Sequence, residues 1–202
     1  MESRNLLTGL RPNFRSCTAL AAPALVLAML AGQACASTLI PLDGATAEVC
    51  FTPGNDCAAV VVSAISSARQ RVWLLGYGFT EDRIVEALLT ARRRGADVRL
   101  ILDRSNADGG MRSAATYIAK RGIPVRIDRT VRIAHNKLIL IDGDTVIMGS
   151  LNWTKAGNRM NAENVHVLRG AKPLAERHAA YFLEREAVSE TYRIESEGPR
   201  TR

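Results

Sequence analysis

Two short apolar segments on either side of Gly143-Asp144 constrain the fold of this chain more than any other feature. Residues 137–142 and 145–149 are rich in Ile, Leu and Val, a composition typical of β-strands. Gly-Asp between two such runs suits a two-residue hairpin turn with positive φ. We therefore predict a β-hairpin near the centre of a sheet.

The register of this hairpin predicts a cluster of polar side chains. With Gly143-Asp144 as the loop, Lys137 lies opposite Ser150, and His135 lies opposite Asn152. Side chains alternate between the two faces of a strand, so these four groups share one face, and we call them the polar square. An unpaired buried polar group costs about 1–3 kcal/mol. Such a cluster is therefore expected to be hydrogen-bonded or to have a function.

Strand patterns alternate with helical patterns along the rest of the chain. The strands are expected at 47–51, 71–79, 97–103, 124–128 and 162–170, and the helices at 58–69, 81–94, 111–121 and 173–188. This alternation predicts an α/β fold with a mixed, largely parallel sheet flanked by helices. No low-complexity linker divides the chain, so we expect one domain at residues 37–202.

The first 36 residues differ from the rest. Three arginines precede an apolar run at residues 17–32, which ends in Ala34-Cys35-Ala36. This order is typical of a secretory signal peptide cleaved after Ala36. An uncleaved membrane anchor is the alternative, although the run is short for a bilayer span and contains Pro23. We predict a signal peptide at 1–36, a periplasmic or secreted bacterial protein, and no stable membrane association after cleavage.

The mature chain would be basic. Without residues 1–36 it has 24 Lys and Arg against 19 Asp and Glu, a formal charge of +5. An excess of this sign suits a polyanionic partner, either nucleic acid or an anionic membrane surface, although a modest excess also serves solubility alone.

Two of the four cysteines, Cys50 and Cys57, would remain after cleavage. A pair that flanks a Pro-Gly turn in an exported protein is best interpreted as a disulfide, which would contribute about 2 kcal/mol. Metal binding is the lesser option, because no further Cys or His lies nearby in the sequence.

The four groups of the polar square suit a phosphoryl centre. A neutral imidazole can act as a nucleophile or carry a proton, and an ammonium, a hydroxyl and an amide can hold phosphate oxygens. A lone histidine is most often structural, but the spacing of His135 with Lys137, Ser150 and Asn152 favours a functional one.

Arginines near the square are candidates for contacts to a phosphate backbone. Arg129 and Arg132 precede His135 and are expected to guide the substrate. The arginines at 92–94 end a helix, where the helix dipole already favours cations. Trp153 is expected to pack in the core rather than to stack on a base.

The pattern His135-x-Lys137-x4-Asp142, followed by Gly149-Ser150-x-Asn152, resembles the signature of the phospholipase D superfamily. The arrangement around it is similar to the small, exported bacterial endonucleases of that superfamily, which have a single such motif. The similarity covers nearly all of residues 37–202 and implies a phospholipase D-like fold.

The resemblance also implies a mechanism. His135 would attack phosphorus and form a phosphohistidine, and a second His135 would protonate the leaving oxygen and then activate water. Lys137, Ser150 and Asn152 would hold the nonbridging oxygens, and Glu163 matches the position of an acidic residue that orients the imidazole. From the residues alone, Glu163 is only a carboxylate near the start of a strand. Asp142 belongs to the signature, but the predicted register turns it away from the square, so we assign it to the turn.

One motif per chain implies a homodimer, because the scheme needs two histidines. A twofold axis that brings two polar squares face to face is the simplest arrangement. No metal or other cofactor is expected, since Lys and polar donors supply the positive field and the sequence has no close group of residues with metal-ligand spacing.

These observations favour a metal-independent endonuclease that cleaves DNA, with RNA as a further candidate substrate. A phospholipase D or phosphatidyl transferase that acts on lipids is the first alternative, and the lack of a long apolar insertion counts against it. A non-catalytic nucleic-acid-binding module is the second, and the intact His135 and Lys137 count against that.

Overall fold

The computed structural model describes residues 37–108 and 113–194. The predicted signal peptide at 1–36 therefore lies outside the described residues, as does the start of the helix predicted at 111–121. Contacts group the described residues from Leu39 onward into one compact unit. None of the helices in the described part of the chain has the length and apolarity needed to cross a bilayer.

The described residues form one sheet with helices on both sides. The strands are β1 (Thr46–Thr52), β2 (Arg71–Gly76), β3 (Asp97–Asp103), β4 (Val125–Asp128), β5 (Lys137–Ile141), β6 (Thr145–Gly149), β7 (Glu163–Arg169) and β8 (Glu190–Thr191). The α-helices are α1 (Cys57–Ser66), α2 (Asp82–Arg93), α3 (Ala115–Ala119), α4 (Lys155–Arg159) and α5 (Lys172–Val188). The predicted α/β class, with a mixed sheet and flanking helices, is confirmed.

The strand order is β1-β7-β6-β5-β2-β3-β4-β8, which places the β5–β6 hairpin in the interior of the sheet. The sheet is less parallel than expected. Among the described strands, only the β2–β3 and β3–β4 pairings are parallel, and the other five are antiparallel. A parallel pairing needs a crossover helix, which α2 and α3 supply, whereas the three-residue loop between β5 and β6 and the longer connection through α4 to β7 reverse the chain direction.

Alternate residues of β2 reach two separate cores. Val72 and Leu74 pack with the residues of α1 and α2, whereas Trp73 and Leu75 pack on α5. Trp73 stacks on Phe182 of α5, with 4.9 Å between the ring centroids. Burial on both faces explains why β2 is an unbroken apolar run in the sequence.

The hairpin loop is one residue longer than predicted. Ile141 pairs with Thr145, so the loop contains Asp142, Gly143 and Asp144 and the two-residue prediction is wrong. Asp142 has a left-handed φ of 56°. An aspartate tolerates this conformation better than most residues, and its carboxylate is held by backbone amides at the start of β2 and just before it. The longer loop shifts the register by one residue.

The predicted disulfide is present. Cys50 in β1 and Cys57 at the start of α1 are bonded, with 5.6 Å between their Cα atoms. Both residues are buried. The bond joins the strand to the helix across the Pro-Gly turn.

Replacing both cysteines with alanine is expected to lower the free energy of unfolding by about 2.5 kcal/mol, because the unfolded chain regains the freedom of the closed loop. Urea denaturation measures the loss. Dithiothreitol should destabilise the wild type by a similar amount and leave the double variant unchanged; equal sensitivity of both proteins would contradict the prediction.

Candidate active site

The ends of four neighbouring strands meet at one edge of the sheet. Lys137, the first residue of β5, pairs with Gly76, the last residue of β2. Gly149 ends β6, and its partner in β7 is two residues beyond Glu163, where β7 begins. We call this edge the site edge. His135 lies two residues before β5, while Ser150 and Asn152 lie one and three residues after β6, so the topology brings all five predicted residues to it.

His135 and Lys137 are linked through Tyr77, which follows β2. The rings of Tyr77 and His135 have their centroids 4.6 Å apart and are tilted by 59°. Lys137 Nζ lies 5.5 Å from the Tyr77 ring centroid and donates a hydrogen bond to the carbonyl oxygen of His135 at 2.9 Å. His135 is exposed, so its imidazole is accessible to a substrate. Sequence reasoning did not assign a role to Tyr77, although an aromatic residue directly after a buried strand was a usable signal.

Glu163 acts on Lys137 electrostatically. Burial lowers the pKa of the Lys137 ammonium, and the negative charge of Glu163 partly offsets that effect. Glu163 is half-buried, and its Oε1 accepts a hydrogen bond from Asn161 Nδ2 at 3.0 Å. The carboxylate therefore favours the charged form of the lysine.

The polar square does not form through the direct pairs that were expected. Ser150 N and Leu151 N both donate to the carbonyl oxygen of Asn164, at 3.1 and 3.3 Å. Two residues thus face one, which is a β-bulge at the end of β6. Ser150 Oγ in turn accepts a hydrogen bond from Asn164 N at 3.0 Å. The longer loop and this bulge replace the predicted cross-strand pairs.

Gly149 makes the bulge possible. A Cβ at this position would lie 2.2 Å from the backbone oxygen of Asn164, closer than any real contact. The same oxygen accepts the two bulge hydrogen bonds. Only glycine allows β7 to approach closely enough to hold Ser150 at the site edge.

Asn152 carries an unsatisfied polar atom. Its Oδ1 is buried and has no hydrogen-bond partner among the described residues. The next residue, Trp153, is fully buried, and its indole N donates to the carbonyl oxygen of Leu75 at 3.1 Å, so the prediction that it packs in the core is confirmed. The Trp153 carbonyl oxygen accepts hydrogen bonds from the amides of Thr80 and Glu81. Asn152 is thus held by its neighbour at the site edge.

Asp142 lies in the β5–β6 loop, away from the site edge. Its carboxylate accepts hydrogen bonds from the backbone amides of Arg69, Gln70 and Arg71, the closest of them at 2.8 Å. Burial would raise the pKa of Asp142, but these amides outweigh it and lower the pKa. Asp142 joins the loop to the start of β2 and the two residues before it.

The two arginines predicted to guide substrate differ in their contacts. Arg129 is paired with Asp108 at 2.7 Å and with Glu190 at 3.3 Å, so its charge is largely balanced. Arg132 is exposed and makes no ion pair with any described residue. Arg132 is therefore the stronger candidate for a phosphate contact.

The site residues are not arranged as metal ligands. Residues 37–108 and 113–194 contain no group of three or more His, Cys, Asp or Glu side chains able to hold a metal ion. The polar groups at the site edge are instead one imidazole, one ammonium, a hydroxyl and an amide, with the Glu163 carboxylate beside the lysine.

The chain is similar to several known proteins. The family model described as "Cardiolipin synthase, PLD-like domain" matches residues 61–185. Phospholipase D of Rickettsia bellii is 39% identical over 140 residues, which are 69% of each chain. Mitochondrial cardiolipin hydrolase of Canis lupus familiaris is 31% identical over 137 residues, which are 67% of this chain and 51% of that protein.

Two solved structures share the fold. Nuc from Salmonella typhimurium, a phospholipase D family member, matches with a TM-score of 0.70 and 35% identity, and the match covers 74% of this chain and 99% of Nuc. NucT from Helicobacter pylori matches with a TM-score of 0.66 and 23% identity over 73% of this chain and 99% of its own.

Proposed function

Because the chain belongs to the phospholipase D superfamily, whose enzymes hydrolyse or transfer phosphodiesters, we propose that it is a metal-independent endonuclease of DNA. RNA is a further candidate substrate. The observation that carries the proposal is that the exposed His135 shares the site edge with two exposed arginines that follow β3 and β4, Arg104 and Arg132. Exposed cations on the same side as the reacting group suit a substrate with many phosphates.

His135 begins the reaction by attacking phosphorus. One P–O bond breaks as the P–N bond forms, and a second histidine gives its proton to the leaving oxygen. That second histidine then removes a proton from water, whose oxygen displaces the phosphohistidine and releases a phosphomonoester. Lys137, Ser150 and Asn152 stabilise the negative oxygens in both steps.

The second histidine comes from a second copy of the chain. Neither His166 nor His178 has a lysine two positions later, so the chain has one complete motif. A twofold homodimer with one composite site at its axis supplies both imidazoles. The Cys50–Cys57 disulfide supports an exported protein, as does the signal-like segment at 1–36.

A phospholipase D activity is the second candidate. Val131 and Ile133, which lie just before His135, are 38% and 51% exposed. Apolar side chains beside the reacting group suit the surface of a membrane. The curated relatives of Rickettsia are also named phospholipase D.

Incubation of residues 37–202 in EDTA with plasmid DNA, RNA and phosphatidylcholine vesicles separates these functions. We expect nicking and degradation of DNA that is absent in a His135→Asn control. Lipid turnover without DNA cleavage would support the second candidate, and DNA retention without cleavage would indicate a binding module. A complete loss in EDTA that Mg²⁺ or Zn²⁺ restores would contradict the covalent-histidine scheme.

A further inference from the structure

A cavity of about 540 Å³ opens between α5 and strands β5–β7, next to the active site. Lys137 and Gly149, at the ends of β5 and β6, are among the residues that line it. The chain has three histidines, and the two that the proposed reaction does not use, His166 and His178, both line this cavity. The two imidazoles that the proposed reaction does not use thus line one cavity, which Lys137 also lines.

The fold explains which side chains surround the cavity. His166 pairs with Met148 across the β6–β7 ladder, so both point to the face that α5 covers. On α5, Arg177 and Tyr181 are four residues apart and therefore lie on one side of the helix. The lining thus combines polar side chains, those of Arg177 and the two histidines, with the largely apolar side chains of Met148 and Tyr181.

The charge of the cavity is positive. Lys137 and Arg177 are its basic residues, and no described acidic side chain lines it. Burial and the neighbouring Arg177 charge lower the pKa of His178. At neutral pH its imidazole is therefore uncharged and able to donate one hydrogen bond. An anion is the ligand that such a set of donors stabilises best, because no carboxylate of the described residues lines the cavity and Glu163, which acts on Lys137, is not one of its lining residues.

We propose that this cavity binds the nucleotide next to the scissile bond, a role that rests on the proposed nuclease function. Arg177, His166 and His178 hold the phosphate adjacent to the one that His135 attacks. Tyr181 and Met148 pack against the sugar and base, a contact that tolerates any sequence because every base has an aromatic face. The subsite makes the enzyme prefer a polynucleotide to an isolated diester.

The test compares two substrates of different length. One is a single-stranded oligonucleotide, and the other is bis(p-nitrophenyl) phosphate, which has no flanking phosphate. Arg177→Gln is expected to raise KM for the oligonucleotide about tenfold and to reduce the slope of log affinity against log salt by about 0.7, the value for one lost contact to a single strand. The increase in KM for bis(p-nitrophenyl) phosphate should be at least about fivefold smaller, because that substrate does not reach the subsite.

Two further variants separate a binding role from a structural one. Arg177→Lys keeps the positive charge and should recover most of the oligonucleotide KM. Arg92→Gln removes another exposed arginine, at the end of α2, and it should behave as the wild type. Thermal unfolding of each variant checks that the fold is intact.

Each outcome decides the proposal. Equal losses on both substrates would overturn it, as would an unchanged oligonucleotide KM and salt slope in Arg177→Gln. If Arg177→Gln lost activity on phosphatidylglycerol vesicles but not on the oligonucleotide, the proposal would also be overturned, since the cavity would then serve a lipid. A wild type that cleaves the small diester but not DNA would refute the proposed nuclease function itself, which is a different result.

Discussion

His135→Asn is expected to lower the rate of phosphodiester cleavage by about 10⁴-fold or more, because the variant loses both the nucleophile and the proton carrier. KM should change little, since Lys137 and Arg132 remain in place to hold the phosphates. Single-turnover cleavage of an end-labelled oligonucleotide measures the rate. Residual activity above roughly a hundredth of the wild type would show that another group attacks phosphorus.

The control for this variant is its stability. His135 is exposed and its ring contacts Tyr77, so the free energy of unfolding should stay within about 0.5 kcal/mol of the wild type. Mixed dimers with one intact His135 should also be nearly inactive, because the single composite site then lacks either the nucleophile or the acid. Half of the wild-type activity in such dimers would instead favour two independent sites.

Asp142→Ala is expected to lower the free energy of unfolding by about 3 kcal/mol. The amides of Arg69, Gln70 and Arg71 lose a charged acceptor, and alanine is strained at a φ of 56°. Urea denaturation at neutral pH measures the effect. The matched control is Asp144→Ala in the same loop, where the exposed carboxylate bonds only to the hydroxyl of Thr145 among the described contacts and the loss should stay within about 0.5 kcal/mol.

The difference in the free energy of unfolding between wild type and Asp142→Ala should depend on pH. The backbone amides lower the pKa of Asp142 in the folded state despite its burial. The carboxylate therefore contributes its full stability above the unfolded pKa of about 3.9, and this contribution is lost as the pH falls through the folded value. The difference between wild type and Asp142→Ala should shrink from pH 7 to pH 3. A difference that grows on acidification would contradict this assignment.

Local patterns predicted most of the secondary structure. The strand at 97–103 has the bounds that were predicted, and the last helix begins one residue earlier than expected. Prediction was weaker where strands end. The segment after Gly76 was expected to continue β2, but it leaves the strand so that Tyr77 lies over His135 and Phe79 bridges to Trp153. Hydrophobic periodicity reports only on residues that are close in sequence, so it cannot predict a contact between distant segments.

By itself, the sequence determined the α/β class and the disulfide pair and supplied the residues that we propose carry the chemistry, because each depends on residue type and short spacing. The tertiary structure decided the register of the hairpin and the way in which Ser150 reaches the site edge. Asp142 is held by amides some seventy residues earlier, and Ser150 is held by a bulge against β7. Both depend on close backbone approach between separate strands, and this approach exists only once the sheet has assembled.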